Sequence, residues 1–163
     1  MTESDYLLPH VRDALAAISS PRFYATERGY QGALLSQINL NLKMSEHTLS
    51  EQEYQKRLNL HGLKIRPDIV IHEPFDSARH ENRIEGNYAV IELKLNANEN
   101  DAKNDFDKLA LMIEVLKYQL GIFVNINSRN TFIEKAPKHL SGKIFSFAVE
   151  LSEGKVHIVQ AGV

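Results

Sequence analysis

The chain has no cysteine, which excludes a disulfide scaffold and a thiolate zinc centre. It has no excess of positive charge either: 19 Lys and Arg stand against 21 Asp and Glu, for a formal net charge of −2. That balance gives no broad basic signature for nucleic acid, so any such contact has to come from a local patch. No apolar run nears membrane-spanning length, and the N-terminal stretch holds no continuous apolar segment of the secretory-signal kind. The reading is a cytoplasmic protein with no membrane partner. A Gly-rich phosphate loop is lacking, as are internal repeats, low-complexity tracts and a linker that would divide the chain. What remains is an ordinary globular balance, 43% hydrophobic and 25% charged over 163 residues. It is read as a single domain, 1–163, with a real core.

Helical spacing of Leu7, Leu8, Val11, Leu15 and Ile18 predicts a first helix over Tyr6–Ile18, ended by Ser19-Ser20-Pro21. Thr26 is a cap candidate for a second helix reaching about Leu42, with Tyr30, Leu34, Ile38 and Leu42 on one stripe. Glu27 opens that stripe and Gln31 follows one turn later; the glutamate can also be read simply as a first-turn partner of the helix dipole. Lys43–His61 is polar and hard to assign. Glu51–Leu58 suits a short helix, and Gln55–Leu60 suits an edge strand equally well.

The most informative stretch runs from Arg66 to Leu95. Pro67-Asp68 leads into Ile69-Val70-Ile71-His72, and Tyr88-Ala89-Val90-Ile91-Glu92-Leu93-Lys94-Leu95 follows after a polar passage. Both runs are rich in β-formers and bounded by Pro, Gly and Asn. Alternation sets Glu92 and Lys94 on the face of Val90, with Ala89, Ile91, Leu93 and Leu95 on the other. Apolar residues on both faces predict a strand covered on both sides. Ionised groups at the ends of such strands are costly unless paired or holding a metal. The intervening Glu73–Asn87 passage is long for a connection between neighbouring strands; its Arg79, His80 and Arg83 are candidate ligand contacts, with a solvated loop as the plainer account.

Asn96–Asp101 is a capping region for a helix over about Ala102–Tyr118, with Phe106, Leu109, Ile113, Leu116 and Leu120 as its buried stripe and Gly121 as its stop. A strand at Ile122–Ile126 then implies a right-handed parallel crossover. Ile144–Leu151 and Lys155–Gln160, separated by Ser152-Glu153-Gly154, read as a hairpin. Lys135, Lys138, His139 and Lys143 form the best cationic cluster for a phosphate-facing patch, or a solvated surface.

Two carboxylates on adjacent strand ends are the usual holder of a hard divalent cation, and a lysine two residues on shares their face. A buried ion pair without chemistry is the other reading. Pro67-Asp68, a spacer and Glu92-Leu93-Lys94 resemble the motif of the PD-(D/E)XK nuclease superfamily. The surrounding order of elements, α-β-β-β-α-β over about 26–127, resembles its core. The resemblance implies an α/β fold: a restriction endonuclease-like central mixed sheet flanked by helices, here with an added N-terminal helix and C-terminal β-hairpin. It further implies that Asp68, Glu92 and the Leu93 carbonyl bind Mg²⁺ (or Mn²⁺) and that Lys94 positions the attacking water. Glu27 would match the helix-borne acid. Gln31, Asp107, Lys108 and Gln119 are possible accessory residues.

The implied function is Mg²⁺-dependent hydrolysis of DNA phosphodiester bonds, with a homodimer or a larger complex as the protein context. The alternative is a non-catalytic nucleic-acid- or protein-binding subunit that keeps the fold. A metal enzyme on another phosphoryl substrate is disfavoured by the missing Gly-rich loop. With little room for a separate recognition domain, a structure-directed nuclease, a subunit of a complex or a mobile-element protein is favoured over a free-standing restriction enzyme. The expectation for geometry is that the Asp68 and Glu92 carboxylates lie close enough to share one ion.

Overall fold

A computed structural model describes residues 2–52 and 65–163. Side-chain caps fix where its helices begin. In α1 (Glu3–Ala16), Thr2 and Asp5 form a reciprocal capping box. In α2 (Glu27–Asn41), the Thr26 hydroxyl accepts from the Gly29 amide at 3.0 Å. In α3 (Glu99–Leu116), Asn98 and Asp101 form a second capping box. Helices α1 and α3 both start three residues earlier than apolar spacing indicates, because the polar capping residues themselves begin the first turn.

The strands are β1 (Leu49–Gln52), β2 (Ile69–His72), β3 (Asn87–Leu95), β4 (Leu120–Ile126), β5 (Ile144–Ser152) and β6 (Lys155–Gly162). They form one mixed six-stranded sheet in chain order, antiparallel at β1–β2–β3, parallel at β3–β4–β5 and antiparallel again at β5–β6. From α2 to β4 the described elements run α-β-β-β-α-β, as expected. An edge strand lies at Leu49–Gln52; the expected edge strand Gln55–Leu60, and most of the alternative helix Glu51–Leu58, fall outside the described residues. The β5–β6 hairpin turns on Glu153 and Gly154, both at positive φ, as a two-residue loop matched to strand twist requires.

Alternation divides the core into two layers. Ile69, Ile71, Ala89, Ile91 and Leu93 pack with α1 and α2, while Val70, Val90 and Phe123 pack with α3. Each fully buried Leu or Ile contributes about 1.5–3 kcal/mol, so β3, buried on both faces, is the most firmly held element around the site. Under α3, the Phe106 and Phe123 rings meet at 5.2 Å.

Gly121 does not stop α3. Lys117 ends the helix in the left-handed conformation (φ 57°), and Gly121 lies inside β4 with Leu120 beside it. A β-carbon at Gly121 would sit 3.1 Å from Ile113 Cδ1 and 3.3 Å from Leu109 Cβ. The glycine is needed there for close approach of helix to strand.

Candidate functional site

β2 begins at Ile69, opposite Ile91, whereas β3 continues to Leu95. Among the described residues, the β2 side of β3 is therefore without strand partners from Glu92 onward. Two carboxylates answer its amides. Leu93 N donates to Asp68 Oδ2 at 2.7 Å, and Leu95 N donates to Glu27 Oε2 at 3.1 Å. Amide and carbonyl of one strand residue face the same side, so the Leu93 carbonyl looks into this gap beside Asp68. Gln31, one turn after Glu27 on α2, is buried and donates to the Asp68 carbonyl at 3.0 Å. Pro67, preceding Asp68, is buried and favours extended backbone at Arg66.

From the other face of the sheet, β3 presents Glu92 and Lys94 towards α3. Glu92 is 3% exposed, and Asp105 of α3 is 2% exposed. The Lys108 ammonium lies 3.0 Å from Asp105 Oδ1 and 4.0 Å from Glu92 Oε2. Glu92 Oε1 and Asp105 Oδ2 are buried without a hydrogen-bond partner among the described residues. Lys94 is partly exposed, and its charge acts on Asp105. Glu27, Asp68, Glu92, Asp105, Lys94 and Lys108 thus form one cluster at one end of the sheet.

Electrostatics follow from burial. Loss of water raises Glu92 well above the ordinary carboxylate range, and the Asp68 charge beside it adds to this. Burial also raises Asp68, against the opposing Leu93 amide hydrogen bond, and raises Asp105, against the hydrogen bond and charge of Lys108. Burial pulls Lys108 down, but the Glu92 and Asp105 carboxylates more than offset it and hold the ammonium charged. Asp68 and Glu92 act on each other's ionisation, as Glu27 and Asp105 also act on Asp68. Among the described residues no three His, Asp or Glu side chains are gathered as a ready metal shell. What the cluster offers a cation is a carboxylate pair with a backbone carbonyl nearby. That suits an ion which keeps several waters.

The remaining candidates lie elsewhere. Arg79 pairs with Glu73 and Asp76 at 3.4 and 3.6 Å, Arg83 stacks 4.5 Å from the Phe75 ring centre, and His80 reaches Glu73. All three belong to the loop at the far end of β2 and β3 from the carboxylates. The cationic cluster is spread out: Lys135 pairs with Glu99 at the start of α3, His139 with Glu114 in its last turns, while Lys138 and Lys143 are exposed. Lys143 stands where β5 begins, at the opposite end of the sheet from Glu92. Asp107 faces solvent and pairs with Lys103, and Gln119 lies beside the start of β3. Asp105 is the site residue that spacing missed. Its signal was an acid within the buried stripe of Ala102, Phe106 and Leu109.

No family model matches the chain, and no curated protein does. Among solved structures, it is similar to NucC of E. coli MS115-1 in its cAAA-bound form. The TM-score is 0.53 at 11% identity, covering 99% of this chain and 84% of that one. NucC of P. aeruginosa ATCC27853, also cAAA-bound, gives a TM-score of 0.51 at 10% identity, covering 99% and 85%. At such identities the likeness shows the fold, an α/β architecture of the restriction endonuclease-like type. No helix among the described residues is long and apolar enough to cross a membrane.

Proposed function

We propose that the chain is a Mg²⁺-dependent nuclease that hydrolyses DNA phosphodiester bonds with an activated water. One observation supports the reading: Asp68, held on the Leu93 amide, and Glu92, approached by Lys108, lie at adjacent strand ends and act on each other's ionisation, with Glu27 and Lys94 in the same cluster. The restriction endonuclease-like fold supports it, though fold alone does not decide function.

Asp68, Glu92 and the Leu93 carbonyl would hold the ion (Mn²⁺ being an alternative), an all-oxygen set with a buried, unpartnered Glu92 oxygen available. Bound divalent charge stabilises the negative charge that develops on the phosphate and its leaving oxygen. Lys94, on the Glu92 face and partly exposed, orients the attacking water and favours its deprotonated form. Glu27 holds the end of β3 through Leu95, and Gln31 fixes Asp68 through its carbonyl, so both act as positioning residues. DNA is the expected partner, with a dimer or larger complex as the context for cutting two strands.

The test is cleavage of supercoiled plasmid, linear duplex, single strands and a four-way junction in Mg²⁺, Mn²⁺ or EDTA. Metal-dependent cutting that disappears in Lys94→Ala and Asp68→Asn is the expected result. Equal cutting by the folded variants would falsify the assignment. No cutting by the parent on any substrate would move the protein to the second class, a binding subunit that keeps the fold.

A further inference from the structure

We propose that Lys108 is a built-in cation taking the place of a second divalent ion, so that this site works with one bound metal. The proposal rests on the metal-site reading above and adds Asp105 and Lys108 to it. The Lys108 ammonium lies 3.0 Å from Asp105 Oδ1 and 4.0 Å from Glu92 Oε2, between two carboxylates that are each almost wholly buried. Positive charge between two buried carboxylates is what a bridging divalent ion would otherwise supply.

Charge count agrees. With the site ionised, Glu27, Asp68, Glu92 and Asp105 carry four negative charges and Lys94 and Lys108 two positive ones. The deficit is two, which one divalent ion neutralises. Without Lys108 the deficit is three, and one ion leaves negative charge uncompensated in a buried setting.

Two oxygens show that the cluster has donor capacity left over. Glu92 Oε1 and Asp105 Oδ2 are both buried and without hydrogen-bond partners among the described residues. Glu92 Oε1 belongs with Asp68 and the first ion. Asp105 Oδ2 has no such claim on it while Lys108 occupies Oδ1, and it becomes the natural donor to a second ion once that ammonium is gone. The Lys108 side chain is 46% exposed. One ammonium proton goes to Asp105, and the partly exposed side chain leaves donors over for a phosphate. Lys108 therefore gives the site a fixed positive charge next to substrate, with Asp105 as its positioning residue.

The experiment counts Mn²⁺ bound to the full-length chain by electron paramagnetic resonance of the free ion, with Ca²⁺ competition to confirm a hard-cation site. The parent is expected to bind one ion. Lys108→Met is expected to bind two, Lys108→Arg one, and the double variant Asp105→Asn/Lys108→Met one again, since the neutral amide restores the charge balance. Lys108→Gln runs in parallel, because its amide can still hydrogen-bond Asp105 and preserve the fold. A parent that binds two ions, or folded Lys108→Met and Lys108→Gln variants that bind only one, overturns the proposal while leaving the Asp68–Glu92 reading intact. A folded parent that binds none, like Asp68→Asn, removes that reading and this proposal with it.

Discussion

The Leu93 amide donates to Asp68 Oδ2 at 2.7 Å across the gap where β2 has not yet begun. A proposed metal ligand therefore also supplies a backbone hydrogen bond that a longer β2 would have made. Asp68→Ala leaves the Leu93 amide without its protein acceptor, at a cost of about 1–3 kcal/mol. Asp68→Asn keeps an acceptor and should unfold within about 1 kcal/mol of the parent while losing activity. Denaturant melts of both variants beside the cleavage assay check this; equal destabilisation by Asn and Ala would count against the dual role.

Gln31 is buried and donates to the Asp68 carbonyl at 3.0 Å. Gln31→Leu removes a hydrogen bond of about 1 kcal/mol and leaves Asp68 less firmly placed. Cleavage should fall by roughly tenfold or more, since small misplacements of reacting groups are costly in rate. The Mn²⁺ affinity should fall with it. A variant that loses stability but keeps full activity and affinity would confine Gln31 to a structural role.

Burial raises Glu92, Asp68 and Asp105 in the folded chain. A carboxyl raised by folding contributes stability that is fully present below its unfolded pKa and is lost as pH rises through its folded one. Without divalent ions, the melting temperature should therefore decline as pH rises above the ordinary carboxylate range, while the raised Lys108 adds no slope there, its contribution being lost only in the alkaline range. Millimolar Mg²⁺ should flatten the decline. Glu92→Gln should do so too, raising the metal-free melting temperature at neutral pH by roughly 2–4 °C for about 1 kcal/mol in a chain of this size. Calorimetry across pH, with EDTA or Mg²⁺, decides; a metal-free profile that rises with pH would refute it.

Gly121 stands where α3 comes closest to β4. Gly121→Val would press its side chain against Ile113 and Leu109, contacts already at 3.1 and 3.3 Å from an added β-carbon. Overpacking of this kind costs about 1–3 kcal/mol. Because α3 carries Asp105 and Lys108, cleavage should weaken as well. Urea melts with and without Mg²⁺ would show the loss, and an unchanged midpoint would mean the helix simply moves out.

Much of this was readable from spacing, and the exceptions have physical causes. Strand alternation at Val90, Glu92 and Lys94 puts the acid and lysine on the face that α3 packs against, where Lys108 approaches Glu92. Thr26 marked the start of α2 because a hydroxyl before a helical stripe has an obvious amide to accept from. Asp105 carries no motif of its own; only the packing of the Ala102–Phe106–Leu109 face against the sheet shows that this acid, and not Asp107, turns inward. Gly121 reads as a helix stop because glycine usually provides the left-handed residue, a conformation that Lys117 adopts here. No local pattern could show that β2 is short at just the point where Asp68 and Glu27 are needed, because that depends on the register of two strands distant in sequence.

The gap beside β3 also bears on how such a protein would decay if its chemistry were no longer under selection. Asp68 and Glu27 each satisfy a backbone amide, so a lineage that lost cleavage would still be held to an oxygen acceptor at both positions. Drift there would run to the amides, asparagine at position 68 and glutamine at position 27, well before alanine or valine. Lys94 has no such second duty and should be the first of the cluster to vary. In descendants of this chain, then, position 94 would report whether the proposed cleavage is kept, and positions 68 and 27 would report only whether the chain still folds.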